Sequence, residues 1–194
     1  SRSGIKPEMI KMRNNLKRKA IAKKIKLMAF DIDGVMTNSS LLFDENGVEY
    51  KRFNVKDGQG IELLHKAGII PAIISKRNNG TITHRAKVLG IAECHIGIKD
   101  KIEAMNEIAS KYKISLSEIA YMGDDLPDIC VLEKIGLASC PADAVEEVKT
   151  VCDFISSKNG GEGAVREVCE FVLKNQGHKN LRTLLEKSVK IKCG

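Results

Sequence analysis

The chain has 194 residues, of which 43% are hydrophobic and 4% aromatic, and its formal net charge is +7. This length and apolar content suit one folded domain and exclude a chain that is disordered throughout. Residues 1–30 hold ten basic and one acidic residue, and residues 175–194 hold five and one. Residues 31–174 hold 17 basic and 23 acidic residues. The acidic middle and the few aromatic side chains argue against a stacking surface for nucleic acid.

The two ends of the chain are predicted to be basic appendages, over residues 1–24 and 178–194. The first has apolar residues at helical spacing, which predicts a helix. A solvated helix packed on the domain or on a partner subunit is one interpretation, and binding to nucleic acid or an anionic membrane is the other. No apolar run could span a bilayer and no secretory signal is present, so we expect a cytoplasmic protein. The apolar positions are Ile5, Met9, Met12 and Leu16.

Residues 25–177 alternate short apolar runs with segments of helical periodicity. This alternation predicts an α/β domain, a Rossmann-like parallel sheet with helices on both faces. The helical segments around residues 102–112 and 165–172 each have one apolar face. The predicted strands are Ile25–Phe30, Ile69–Ser75, Glu93–Ile96, Ile119–Met122, Gly136–Ser139 and Cys152–Ile155.

One segment after the first predicted strand interrupts this alternation. Two apolar stretches, 41–43 and 48–50, flank an Asn46-Gly47 turn, which predicts a β-hairpin. A hairpin at this point lies at the carboxyl ends of the strands, where α/β proteins bind ligands. We interpret it as a functional flap, with a plain surface excursion as the alternative.

Acidic residues follow the first predicted strand at a spacing of two. Side chains two apart on a strand share a face, so Asp31 and Asp33 can both point into the crevice beyond the strand. One carboxylate can attack phosphorus while the other donates and accepts the proton. A lone D-x-D sequence is common in surface turns and does not establish this chemistry.

Polar residues at three further strand ends complete a candidate phosphate site. Gly123-Asp124-Asp125 follows the fourth run, and clustered carboxylates suit Mg²⁺, which prefers oxygen ligands. Ser75 ends the second run and Lys101 follows the third. A hydroxyl and a fixed cation can hold phosphoryl oxygens. Two roles are possible for Asp125 and Asp128: they could orient Lys101 or waters, or they could cap a helix.

This ordered set of motifs resembles the haloacid dehalogenase phosphatases, and more narrowly the capless 3-deoxy-D-manno-octulosonate 8-phosphate phosphatase family. Two further segments carry the narrower resemblance, Phe53–Ile61 and the Gly-rich Gly160–Cys169. The resemblance implies Mg²⁺-dependent hydrolysis of the sugar-acid phosphate through an aspartyl-phosphate, in lipopolysaccharide precursor biosynthesis. It also implies a homotetramer in which neighbouring hairpins and Gly-rich segments close the site.

The resemblance also implies a role for each site residue. Asp31 would be the nucleophile and a metal ligand. Asp33 would be the general acid and base and would offer its backbone carbonyl to the metal, and Asp124 would be the third ligand. Ser75 and Lys101 would hold the phosphoryl group. The implied substrate-binding residues are Asn54, Val55, Lys56, Asp57, Gly58, Arg77 and Arg85. The arginine assignments agree with bidentate binding of carboxylates by guanidinium groups.

Three positions depart from the family pattern. Lys76 stands where Gly is usual, Glu62 where relatives often carry Arg or Lys, and Glu162 where Lys or Arg is frequent. The two glutamates leave open a nine-carbon sugar acid 9-phosphate as substrate, although Arg77 favours the eight-carbon one. A phospho-accepting signalling module is an alternative of another class, as is a nucleic-acid binder using the basic ends.

Overall fold

The computed structural model describes residues 7–189, with side chains from residue 14 to residue 186. Its strands are β1 (Leu27–Phe30), β2 (Leu42–Phe43), β3 (Glu49–Tyr50), β4 (Ile70–Ile74), β5 (Glu93–His95), β6 (Ile119–Met122), β7 (Leu137–Cys140) and β8 (Phe154–Ile155). Its helices are α1 (Pro7–Ala22), α2 (Val55–Lys66), α3 (Gly80–Val88), α4 (Lys101–Tyr112), α5 (Ile129–Leu132), α6 (Glu146–Val151), α7 (Ala164–Asn175) and α8 (Arg182–Val189).

The main sheet is six-stranded and parallel, in the order β5-β4-β1-β6-β7-β8. Alternate residues of β1 enter different cores, because successive strand side chains point to opposite faces. Met28 and Phe30 pack with α2 and α7, whereas Leu27 and Ala29 pack with α4 and α5. The predicted α/β architecture with helices on both faces is therefore confirmed.

The β-hairpin predicted from the Asn-Gly turn is present as the antiparallel pair β2 and β3. Asp44 Oδ1 accepts hydrogen bonds from the backbone N–H groups of Asn46 and Val48, each at 2.9 Å, and Gly47 supplies a positive φ of 77°. The strands of the hairpin and the residues directly before them carry apolar side chains that are at least half exposed. These are Leu41, Leu42, Phe43, Val48 and Tyr50.

Helices occur in both basic end segments and pack on the domain. Ala22 of α1 is buried, and the Gln176 side-chain amide donates to the carbonyls of Ala22 and Ile25 at 3.0 and 2.8 Å. Leu184 of α8 is 3% exposed and joins the core beside α2 and α7. The proposed boundaries at 24 and 178 stay predictions.

The predicted apolar face of the first helix is described only in part. The side chains of Ile5, Met9 and Met12 lie outside the described residues, and Leu16 is 60% exposed. Among the helices of residues 7–189, none combines the length and apolar character required to cross a membrane.

Candidate active site

The turn after β1 places two carboxylates at the carboxyl edge of the sheet. Asp31 Oδ1 accepts a 2.7 Å hydrogen bond from the backbone N–H of Ile32. Thr37 closes the turn, since its N–H and its hydroxyl both donate to the Ile32 carbonyl, at 3.0 and 3.2 Å. Gly34 has a φ of 86°, a left-handed conformation that favours glycine.

A cavity of about 290 Å³ lies at this edge of the sheet. It joins residues that follow β1, β4 and β6 with residues from the hairpin segment and the start of α4. It brings together six of the predicted residues, namely Asp31, Asp33, Ser75, Arg77, Lys101 and Asp124. The other lining residues are Ser39, Leu41, Lys76, Asp125, Pro127 and Asp128.

Lys101 is held in place by two carboxylates. Its side chain is 3% exposed, and its Nζ lies 2.9 Å from Asp31 Oδ2 and 2.6 Å from Asp128 Oδ1. The buried Tyr121 hydroxyl donates to the same Asp128 oxygen at 2.7 Å. Burial disfavours the charged ammonium, but the two carboxylates outweigh it, so the pKa of Lys101 is raised. Lys101 is therefore a fixed cation beside Asp31.

Both carboxylate oxygens of Asp128 accept hydrogen bonds from other groups of the protein. Its Oδ1 accepts from Lys101 and Tyr121, and its Oδ2 accepts from the backbone N–H groups of Asp124 and Asp125 at 3.0 and 3.3 Å. The side chain is 1% exposed. Asp128 thus orients Lys101, which is one of the two roles that the sequence left open. Asp125 caps the turn that follows, since its Oδ1 accepts from the Leu126 N–H at 2.7 Å.

The carboxylates at this edge have more negative charge than Lys101 can neutralise. One oxygen each from Asp31, Asp124 and Asp128 lie within 4.8 Å of one another. Burial, with the charges of Asp31 and Asp128 next, raises the pKa of Asp124 to about 8. Burial also raises the pKa of Asp31 to about 6, although Lys101 opposes the shift. Crowded carboxylates of this kind fit a hard divalent cation, which would favour their ionised forms.

Asp33 belongs to a ring of four alternating charges. Lys51 Nζ lies 2.5 Å from Asp33 Oδ1 and 2.8 Å from Glu49 Oε1. Arg77 Nη2 donates to both carboxylate oxygens of Glu49 at 3.0 Å, and its Nε lies 3.7 Å from Asp33 Oδ2. Hydrogen bonds from Lys51, ahead of those from Arg77, keep the pKa of Glu49 below its usual value. The ring joins β3 of the hairpin to the ends of β1 and β4.

Sequence reasoning missed Lys51 and Glu49. Charged residues near a hairpin turn are usually solvated, and nothing in their spacing marks them as part of a site. The signal that could have identified them was topological, because a hairpin that covers the strand ends brings the charges at its base close to Asp33.

Ser75 lies at this edge of the sheet, where it was predicted. It is 1% exposed, and its Oγ accepts a hydrogen bond from the Arg77 backbone N–H at 3.2 Å.

The remaining predicted substrate residues, 54–58 and Arg85, do not line this cavity within one chain. Val55, Gly58 and Arg85 border a separate groove with Glu62, and Arg85 lies over the Phe53 ring at 5.6 Å. Lys56 is exposed, and the Asn54 side chain caps α2 by accepting from the Lys56 N–H at 2.8 Å.

Asp57 has a contact of its own, with the start of α7. It is 1% exposed, and its two oxygens accept from the backbone N–H groups of Gly163 and Arg166 at 3.3 and 2.9 Å. Burial raises the pKa of Asp57 despite these hydrogen bonds. Within one chain, its carboxylate therefore holds the Gly-rich segment against α2.

The fold and the acidic cavity at its strand ends define a class, the haloacid dehalogenase-like hydrolases. The sequence model of that family matches residues 95–168. The relatives described next are phosphatases of this class, so the protein is a phosphomonoesterase.

The relatives narrow the class further. The chain is 39% identical over 158 residues to 3-deoxy-D-manno-octulosonate 8-phosphate phosphatase KdsC of Escherichia coli K12, covering 81% of this chain and 84% of the relative. The Yersinia pestis phosphatase of the same name has a solved structure with a TM-score of 0.82 and 36% identity, covering 83% and 87% of the two chains. The Moraxella catarrhalis structure, in complex with magnesium ion, phosphate ion and KDO, has a TM-score of 0.84 and 38% identity, covering 88% and 97%.

The chain therefore belongs to the 3-deoxy-D-manno-octulosonate 8-phosphate phosphatase family.

Proposed function

We propose that the protein hydrolyses 3-deoxy-D-manno-octulosonate 8-phosphate to the free sugar acid and phosphate, as a step in making lipopolysaccharide precursors. The observation that carries this is the convergence of Asp31, Lys101 and Arg77 on one cavity. A nucleophilic carboxylate, a cation for the phosphoryl group and a guanidinium for a carboxylate are the groups that a phosphorylated sugar acid requires. The relatives' names support the same substrate.

In the first half-reaction, an oxygen of Asp31 attacks phosphorus and the bond from phosphorus to the sugar oxygen breaks. Asp33 gives its proton to the departing sugar oxygen, so an alcohol leaves rather than an alkoxide. Lys101 and the Ser75 hydroxyl hold phosphoryl oxygens while charge redistributes in the transition state. An aspartyl-phosphate on Asp31 results.

In the second half-reaction, Asp33, now ionised, accepts a proton from water as the water oxygen attacks phosphorus. The bond from phosphorus to Asp31 breaks, which restores the carboxylate and releases phosphate. Asp128 keeps Lys101 beside Asp31 during both halves, since the Lys101 Nζ to Asp128 Oδ1 distance is 2.6 Å.

Asp31, Asp124 and the backbone carbonyl of Asp33 would hold Mg²⁺. When bound, this ion offsets the repulsion between the attacking carboxylate and the anionic phosphoryl group. The crowding that raises the pKa of Asp124 to about 8 supports the assignment, because a cation is the missing countercharge.

Arg77 is the group proposed to bind the substrate carboxylate, and Lys76 is a third cation in the cavity lining, beside Arg77 and Lys101. Of the two glutamates that favour a nine-carbon substrate, Glu62 borders the separate groove, and Glu162 pairs with Arg52 at 3.2 Å. Arg77, which favours the eight-carbon substrate, does line the cavity of its own chain, so the eight-carbon substrate is preferred. Arg85 and the exposed Val55 and Lys56 would contact substrate only in an assembly of subunits, whereas Asp57 is buried against α7.

A cytoplasmic homotetramer is the proposed assembly, with each hairpin closing a neighbour's site. The half-exposed apolar side chains of the hairpin support it, since such patches mark interaction surfaces. Phe43→Ser is expected to dissociate the tetramer, so sedimentation-velocity analysis should show species with smaller sedimentation coefficients. Leu16→Ser, which removes an equally exposed leucine from α1, is the control and should sediment as the unaltered protein does.

The test of the reaction is phosphate release from the eight-carbon substrate in the presence of Mg²⁺. Asp31→Asn should abolish release, whereas Glu107→Gln, an exposed carboxylate on α4, should leave it unchanged. Undiminished turnover by Asp31→Asn would refute the mechanism. Higher kcat/KM for the nine-carbon 9-phosphate than for the eight-carbon 8-phosphate would overturn the substrate assignment alone.

A further inference from the structure

Lys51 is an unusual lysine, because its side chain is 1% exposed. It follows β3 directly, and the hairpin carries it over the end of β1. Its ammonium has two carboxylate neighbours, Asp33 Oδ1 at 2.5 Å and Glu49 Oε1 at 2.8 Å. A buried ammonium is retained only when anionic groups compensate its lost hydration. Lys51 is therefore fixed between the hairpin and the acid-base residue.

The two oxygens of Asp33 have different surroundings. Oδ1 accepts the charge-assisted hydrogen bond from Lys51. Oδ2 is out of contact with solvent and accepts no hydrogen bond from any described residue. Arg77 Nε is 3.7 Å from Oδ2, which is too far for a hydrogen bond, and Arg77 is bound instead to Glu49.

The unpartnered oxygen is the one suited to proton transfer. The Lys51 ammonium occupies Oδ1 with a donor, so Oδ2 is the oxygen of Asp33 that is left without a partner among the described residues and can form a new hydrogen bond. A buried acceptor without a partner is costly, and the departing sugar oxygen or the attacking water would supply the partner. Asp33 lines the cavity that would receive both.

We infer that Lys51 is a positioning residue that makes Oδ2 the proton-transfer oxygen of Asp33. This inference rests on the proposed function, specifically on Asp33 as acid and base. In the first half-reaction the proton moves from Oδ2 to the sugar oxygen, and Lys51 faces the carboxylate that remains. In the second half-reaction Oδ2 takes the proton back from water. Lys51 itself exchanges no proton.

A purely structural lysine that only fastens the hairpin would behave differently. Losing such a residue would reduce turnover of every phosphate ester in the same proportion. Losing a residue that acts through the acid would matter most for esters whose leaving group is a poor one. Primary alcohols need the proton on departure, whereas p-nitrophenolate departs without it.

The experiment measures kcat/KM of the Mg²⁺-loaded enzyme for three esters, namely the sugar-acid phosphate, glycerol 3-phosphate and p-nitrophenyl phosphate. Lys51→Met should lower the value for the two alkyl esters by about 100-fold, within the range expected for proton transfer. The p-nitrophenyl ester should lose less than about threefold, which also reports that the variant folds. Asp33→Asn gives the full size of the split, and Lys66→Met, an exposed lysine at the end of α2, should match the unaltered enzyme.

Lys51→Arg keeps a cationic donor at Oδ1, so its alkyl-to-aryl ratio should stay near that of the unaltered enzyme even if its overall activity falls. Two results with Lys51→Met would overturn the inference, namely equal losses of kcat/KM on all three esters or no loss on any of them. An alkyl-to-aryl ratio in Lys51→Arg as low as that of Asp33→Asn would also overturn it. If the enzyme hydrolysed glycerol 3-phosphate and p-nitrophenyl phosphate but not the sugar-acid phosphate, the proposed substrate would be refuted instead. The difference between the losses on those two esters would still decide the role of Lys51.

Discussion

Asp124→Asn should stabilise the protein without Mg²⁺ while removing its response to Mg²⁺. In the folded chain the pKa of Asp124 is raised from 3.8 to about 8, by burial first and then by the charges of Asp31 and Asp128. The folded state therefore binds one more proton than the unfolded state between about pH 4 and pH 8. Stability falls as pH rises through that window, because the unfolded chain ionises freely and the folded chain does not.

The size of the effect follows from the width of the window below neutral pH. About three pH units separate the usual aspartate pKa of 3.8 from pH 7, which corresponds to about 4 kcal/mol. Asp124 is partly open to solvent, and screening reduces this to about 2 kcal/mol. Asparagine has the same shape and no charge, so the variant should gain about 2 kcal/mol in the free energy of unfolding at pH 7. The gain should shrink toward zero at pH 4.

The assay is urea unfolding of both proteins at pH 4, 5.5 and 7, in EDTA and then in MgCl₂. Magnesium at about 100 times its dissociation constant should stabilise the unaltered protein by about 2.7 kcal/mol and the variant by much less. Glu107→Gln is the charge-matched control and should respond as the unaltered protein does. A variant less stable than the unaltered protein at pH 7 in EDTA, or equally stabilised by magnesium, would refute the reasoning about crowded carboxylates.

Two other substitutions test the turn and the charge ring. Gly34→Ala should cost at least about 1 kcal/mol, because φ is 86° and a Cβ would collide with the Asp124 carboxylate. Thermal unfolding checks it, and a melting temperature equal to that of the unaltered protein would contradict it. Glu49→Gln should lower KM for the sugar-acid phosphate about threefold to tenfold, because Glu49 then competes less with the substrate carboxylate for Arg77. An equal change in KM for glycerol 3-phosphate would contradict that explanation.

Local pattern was sufficient to predict most of the fold. The apolar runs matched the six parallel strands to within about two residues, and the Asn46-Gly47 turn located the hairpin. These features depend on residues that are close in sequence. Apolar residues recur every two positions in strands and every 3.6 positions in helices, and particular residue types form turns. The carboxyl edge of the sheet then follows from parallel topology, which is why Asp31 and Asp124 were expected at one place.

Contacts between distant segments were harder to predict. Asp57 pairs with backbone groups more than 100 positions away, at Gly163 and Arg166. Lys51 reaches Asp33 only because the hairpin folds back over the strand ends. A sequence shows that these side chains are charged, but their partners are set by how far each loop extends, which depends on tertiary packing. Predicted substrate residues that border the separate groove, such as Arg85, belong to the same category.

The turn that carries Asp31 and Asp33 is held in place by contacts with the Gly-rich segment. Gly161 N–H donates to the Val35 carbonyl at 2.9 Å, the Asn54 amide donates to the Gly161 carbonyl at 3.2 Å, and Gly160 leaves no room for a Cβ beside the Gly34 carbonyl. During synthesis, a ribosome adds Asp31 more than a hundred codons before Gly161. A nascent chain thus contains every acidic residue of the site before the segment that holds the turn has been made, so we expect hydrolysis only from chains extended past Gly161.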